Sequence, residues 1–149
     1  MKIAVTGPRP HKLNANELAW IERHMLNIIP ALNPALLISG GALGVDTLWI
    51  EAGLKLNLPV NVILPFPGYD EFWAEQDKKH LEQLMHKCGC VDYVSSMFYD
   101  GVYQLRNRKL VDSCDLLVAY WNGSKGGTGN CVKYAKKMKK ETLVYDKFD

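Results

Sequence analysis

Residues 35–66, ALLISGGALGVDTLWIEAGLKLNLPVNVILPF, decide the fold. The apolar run 35–41 ends in two glycines and reads as a buried strand. Over 44–57, Val45, Leu48, Trp49, Ala52 and Leu56 recur at helical intervals, and 59–66 is a second apolar run of strand type. Strand, helix and strand in immediate succession predict a parallel pair, because a crossover helix carries the chain back to start the next strand in the same direction.

The same alternation extends both ways. Upstream, KIAVTG (2–7) predicts a strand. It is followed by a helix to residue 32 with Leu18, Ile21, Met25 and Ile28 on one face, Asn14 or Asn16 as cap and Pro30 near the end. Downstream, the pattern predicts a helix over 70–87 that includes Phe72 and Trp73, a strand over 91–95 and a helix over 101–114. A fully apolar strand at 115–121, a helix over 128–140 burying Val132, Ala135 and Met138, and a strand at 142–146 complete the chain. The expected architecture is α/β: one Rossmann-like three-layer domain over 1–149, its mainly parallel sheet enclosed by helices.

Composition agrees. The chain has 149 residues, 48% hydrophobic and 23% charged, with a net charge of +2, too small to mark a nucleic-acid coating protein. Positive charge is concentrated in RNRK (106–109) and KKMKK (136–140). The four cysteines show no Cys-x-x-Cys spacing, and MKIAVTG carries no apolar export segment. We therefore expect free thiols in a reducing cytoplasm, no metal, and no membrane association. No Gly-x4-Gly-Lys-Ser/Thr loop, Gly-x-Gly-x-x-Gly fingerprint, nucleophile elbow or His-Glu-x-x-His motif occurs, which disfavours ATP hydrolysis and hydride transfer from NAD. No cofactor is expected.

In parallel sheets ligands bind beyond the carboxyl ends of the strands. Four strand exits are unusual there: TGPRP (6–10), SGGALGVD (39–46), PFPGYDEFW (65–73) and WNGSKGGTGN (121–130). In the first, Gly7 permits close backbone approach, Pro8 stiffens the loop, and Arg9 and His11 can reach an anion. In the second, Ser39, Gly40, Gly41 and Gly44 precede a helix whose first turn carries Asp46, suited to ribose hydroxyls or to work as a base. Glu51, five residues on and about 140° around a helix, is not placed for a tight dyad with it. Around 104–115, Arg106 and Lys109 share adjoining helical surface, Arg108 points elsewhere, and Asn107 can read a polar group. In the last, Gly126, Gly127 and Thr128 run into a helix start, where unpaired N–H groups and the helix dipole favour a phosphate.

Together, TGPRPHKL, LISGGALGVDTLWIEAG, YQLRNRKLVDSCDLLVAYWNG and GGTGNCVKYAKK resemble the YpsA-like branch of the SLOG superfamily, a Rossmann-like group that includes LOG phosphoribohydrolases and the DprA core. The resemblance implies a pocket for a nucleotide or nucleotide-derived ligand and an oligomeric state. It also departs from the LOG pattern Pro-Gly-Gly-x-Gly-Thr-x-x-Glu. With Gly126, Gly127 and Gly129 as the glycines, Asn130 is read at the threonine and Val132 at the glutamate that supports cleavage.

The expected function is thus a sensor or sequestering protein for an ADP-ribose-like or cyclic nucleotide signal, in the setting of bacteria–phage conflict. The ligand would be held by Gly7, Pro8, Arg9, Ser39, Gly40, Gly41, Gly44, Asp46, Arg106, Asn107, Arg108, Gly126, Gly127 and Thr128. One alternative is an N-glycosidic-bond hydrolase or transferase using Asp46 or Glu51. Another is a DprA-like single-stranded DNA or partner-binding module, disfavoured by the modest charge and the lack of an aromatic-basic track.

Overall fold

The computed structural model describes Met1–Asp149, and strands and helices alternate throughout. They are β1 (Lys2–Thr6), α1 (Ala15–Leu32), β2 (Leu36–Ser39), α2 (Val45–Lys55), β3 (Val60–Leu64), α3 (Glu75–His86), β4 (Cys90–Tyr93), α4 (Val102–Ser113), β5 (Leu116–Tyr120), α5 (Gly127–Lys137) and β6 (Glu141–Tyr145). The six strands form one sheet in the order β4-β3-β2-β1-β5-β6, and all five pairings are parallel. The chain starts at the centre, steps outward through β4, then returns to the other side of β1 for β5 and β6. The strand order reverses between β1 and β5, and the crevice of such a sheet lies at that reversal.

Side chains of each strand alternate between two apolar layers. Ile3 and Val5 of β1, with Leu116, Val118 and Tyr120 of β5, pack with Ile21, Met25 and Ile29 of α1, Val45, Trp49 and Ile50 of α2, and Leu81 of α3. Ala4, Ile38, Ile63 and Leu117 point the other way, toward Leu110 and Val111 of α4 and Cys131 and Ala135 of α5. Three helices therefore cover one face and two the other.

Local chemistry explains the boundaries. Asn14 caps α1: its side chain accepts from Glu17 N–H at 2.8 Å, and the Glu17 carboxylate accepts from Asn14 N–H at 2.9 Å. The apolar stripe of α1 runs through Ile21, Met25 and Ile29 at four-residue spacing, leaving the expected Ile28 only half-buried. The helix expected from residue 70 starts at Glu75 instead. Phe66, Gly68 and Asp70 open successive turns, closed by Tyr69 N–H to Phe66 O at 3.2 Å and by Glu71 N–H to Gly68 O and Trp73 N–H to Asp70 O at 3.1 Å, and Phe72 is 94% exposed. At the other end of the chain α5 stops at Lys137. Lys139 turns the backbone at φ 57°, which leaves Met138 exposed rather than buried.

Candidate functional site

Two glycines draw the exits of β1 and β2 together. Gly44, at φ 87°, starts α2 in a conformation that side chains resist, and a Cβ there would stand 2.7 Å from the Pro8 carbonyl. A Cβ on Gly7 would stand 2.5 Å from Val45 Cγ1. Val45 N–H then donates to Pro8 O at 3.4 Å. On the far side of the strand-order reversal, β5 leads through Gly126 (φ 142°) into α5, whose first intrahelical bond is Asn130 N–H to Gly126 O at 3.0 Å. The N–H groups of Gly127, Thr128 and Gly129 precede that bond and are the helix's open donors.

Between these exits lies a cleft of about 320 Å³. The expected residues Gly7, Pro8, Arg9, Asp46, Arg106, Asn107, Gly127 and Thr128 line it, together with Thr6, His11, Lys12, Ala42 and Tyr103. Gly126 lines a smaller adjoining recess that shares Pro8, Lys12, Gly127 and Thr128 with the cleft and reaches Trp121, Tyr120 and Phe148.

Arg106 is buried yet faces this space. Its Nη1 donates to Gly40 O, its Nε donates to Asn107 Oδ1 at 3.0 Å, and Tyr103 lies beneath it with 5.9 Å from Cζ to the ring centroid. Asp46 Oδ2 accepts from Ala42 N–H at 3.1 Å, while Ser39 Oγ donates to the Asp46 carbonyl at 2.8 Å. Burial pushes the Asp46 carboxyl above the usual carboxylate range, opposed by the Arg106 charge, the Ala42 N–H and Arg9. The ion pairs of the molecule are Lys55–Glu22, His80–Glu51 and His86–Glu82, so Arg9, Lys12 and Arg106 have no carboxylate partner. The cleft presents three such cations against one buried carboxylate, a surplus that attracts anions.

Ser39, Gly40 and Gly41 lie beneath the cleft. A Cβ on Gly40 would come within 2.9 Å of Asp46 Oδ2 and 3.1 Å of Arg106 Nη1, and Tyr69 of the β3 exit donates to Gly41 O at 2.8 Å. These residues seat the polar groups instead of lining the space. Three expected residues are elsewhere. Gly44 lines a separate groove with Leu43, Thr47 and Leu48. Arg108 lies over Tyr134, 5.7 Å from the ring centroid, in a groove between α4 and α5. Glu51 points to α3, where it meets His80 at 2.7 Å.

Lys12 and Tyr103 were not singled out from the sequence. Pro10–Lys12 forms a 3-10 turn, and Lys12 Nζ stands 3.4 Å from where a Gly126 Cβ would be. The proline on either side of Arg9 was the available signal for that fold-back. One correction concerns the LOG pattern: counted residue by residue from Gly126, its glutamate falls on Lys133, not Val132. Val132 is fully buried, and neither residue is a carboxylate, so the departure stands.

A parallel sheet with a cation-rich cleft across its switch point, backed by a glycine-led helix start, defines a Rossmann-like protein of SLOG type. The chain belongs to the YspA SLOG family, which it matches over residues 3–147. It is 31% identical over 148 residues to the SPbeta prophage-derived protein YoqJ of Bacillus subtilis (strain 168), covering 88% of this chain and 84% of that one. Among solved structures it is similar to DNA processing protein A (DprA) from Streptococcus pneumoniae, with a TM-score of 0.71 and 17% identity, over 96% of this chain and 49% of that one. It thus spans about half the length of that DprA chain. The molybdenum cofactor carrier protein from Chlamydomonas reinhardtii superposes with a TM-score of 0.64 and 18% identity, over 97% of this chain and 75% of that one. These two likenesses show the fold. No helix is long and apolar enough to cross a membrane.

Proposed function

We propose that the cleft binds a nucleotide-derived ligand and that the protein acts as a sensor or sequestering protein in the cytoplasm. Phosphate sits against the open N–H groups of Gly127 and Thr128 with Arg9, Lys12 and Arg106 around it, and Asp46 takes ribose hydroxyls. The observation that carries this reading is the convergence of the α5 N-terminus with three cations that form no ion pair and face a single buried carboxylate. The prophage origin of YoqJ supports a setting in bacteria–phage conflict. A homo-oligomer is expected, and light scattering on the eluted protein tests it.

The ligand test is a thermal-shift panel of ADP-ribose, its cyclic isomers and cyclic dinucleotides. At a hundredfold excess over Kd, a ligand stabilises the fold by about 2.7 kcal/mol, a rise of roughly 5–10 °C for a chain of this size. Lys12→Ala removes that rise. No shift from any member at millimolar concentration ends the proposal.

The raised pKa of Asp46 favours a second reading, N-glycosidic cleavage with Asp46 as the acid. Two carboxylates normally flank a scissile glycosidic bond, and this cleft holds one, with Glu51 turned away. Chromatography after prolonged incubation separates the readings: intact ligand supports binding, whereas a released base that disappears in Asp46→Asn establishes cleavage.

A further inference from the structure

We propose that the groove between α4 and α5 is a second phosphate subsite continuous with the cleft, so that the ligand is a dinucleotide, two nucleoside units joined through phosphate. This rests on the reading of the cleft as a nucleotide site.

The groove encloses about 300 Å³, and Asn107, Arg108, Asn130, Lys133, Tyr134 and Lys137 line it. It lies beside the cleft. Asn107 lines both spaces, and α5 begins in the cleft with Gly127 and Thr128 before running along the groove. Asn130, Tyr134 and Lys137 follow one another at four- and three-residue spacing along that helix. At 1.5 Å per residue the path from Thr128 to Lys137 is about 13 Å.

Charge singles this groove out. Arg108 on α4 faces Lys133 and Lys137 on α5, no acidic residue lines the space, and none of the three cations belongs to an ion pair. Lysines in the last turn of a helix complement its dipole, which accounts for Lys136 and Lys137. It does not account for Lys133 in mid-helix, or for a guanidinium on the neighbouring helix. Arg108 is also positioned: its guanidinium lies over the Tyr134 ring, and the Tyr134 hydroxyl donates to Asp112 Oδ1 at 2.8 Å. Asp112 brings one negative charge beside the tyrosine hydroxyl but forms no ion pair with the cations, so positive charge stays in surplus along the groove. A phosphate between the helices would relieve their mutual repulsion. The length favours a single added nucleotide unit over a strand, since surfaces that track single strands commonly hold four or more nucleotides per module.

Isothermal titration of the full chain tests this with AMP and GMP, the linear dinucleotides pApA and pGpG, the corresponding cyclic dinucleotides, and twelve-residue oligonucleotides. The proteins are wild type and the double variant Arg108→Ala/Lys137→Ala, both of whose side chains are exposed. The expected result is a dinucleotide at least tenfold tighter than its mononucleotide, with that advantage lost in the double variant and mononucleotide affinity kept within twofold. The linear and cyclic arms tell which form the groove accepts. Equal affinity for mono- and dinucleotides in wild type overturns the subsite. So does an equal loss for both in the variant, and a twelve-residue strand binding tighter than any dinucleotide replaces it with a nucleic-acid track. The mononucleotide arm reports the cleft alone, so binding there with no dinucleotide advantage sinks only the subsite. Silence in every arm overturns the dinucleotide, and the nucleotide reading of the cleft falls with it only when the ADP-ribose panel is silent too.

Discussion

Single residues set the chemistry of the cleft, and Gly126 is constrained by its backbone rather than by its neighbours. At φ 142° and ψ −166° it occupies backbone space that side chains avoid, and Lys12 Nζ stands beside it. Gly126→Ala should destabilise the fold by about 1–3 kcal/mol, read as a lower midpoint in urea, and should weaken ligand binding by shifting the backbone N–H groups that open α5. Asp46 gives a pH signature. Its folded-state pKa lies above the ordinary 3.8, so its protonated form favours the fold, and that contribution is full below 3.8 and lost as pH rises through the folded-state pKa. Asp46→Asn does not titrate and can still accept the Ala42 N–H bond. Its melting temperature relative to wild type should therefore climb as pH rises from 3 toward 7, and a flat difference across that range would refute the assignment.

At the scale of elements, α1 shows how local signals and long-range packing divide the work. Its start was readable from Asn14 and Glu17, which form a reciprocal cap within four residues. Its tertiary role was not readable: His24 contacts Tyr120 OH through Nδ1 at 2.9 Å, from 96 residues away, and stacks on Trp20 with ring centroids 4.7 Å apart. Burial lowers the pKa of His24, so its contribution to stability is present above the ordinary 6.5 and lost as pH falls through the lowered value. Thermal melts from pH 7.5 to 5 should show wild type losing stability faster than His24→Gln, which keeps a polar partner for Tyr120. The opposite error occurred at α3. An amphipathic interval over 70–87 started the helix five residues before Glu75, because periodicity is blind to the turns that Gly68 permits.

Over the whole molecule, the order of elements was legible because every strand is flanked by helices and the β1 and β5 runs are apolar on both faces. The position of the cleft followed from that order. Which side chains enter it did not, since a helix face is fixed by packing that residue spacing only approximates. Arg106 and Arg108, two residues apart, end in different grooves. The sheet also predicts where substitutions hurt. Leu117 on β5 is fully buried beside central β1, whereas Leu143 on edge strand β6 is only partly buried. Leu117→Ala should cost about 2–5 kcal/mol, and Leu143→Ala less than half as much, in paired denaturant titrations.

The loop that leads into α5 is fastened by an indole: Trp121 Nε1 donates to Ser124 O at 2.8 Å, and its ring lies 3.2 Å from where a Gly129 Cβ would stand. A fluorophore is thus built into the proposed phosphate cradle. Occupancy should be visible as a change in intrinsic emission without any attached dye, and Trp121→Phe should silence that change while Trp20, Trp49 and Trp73 continue to emit.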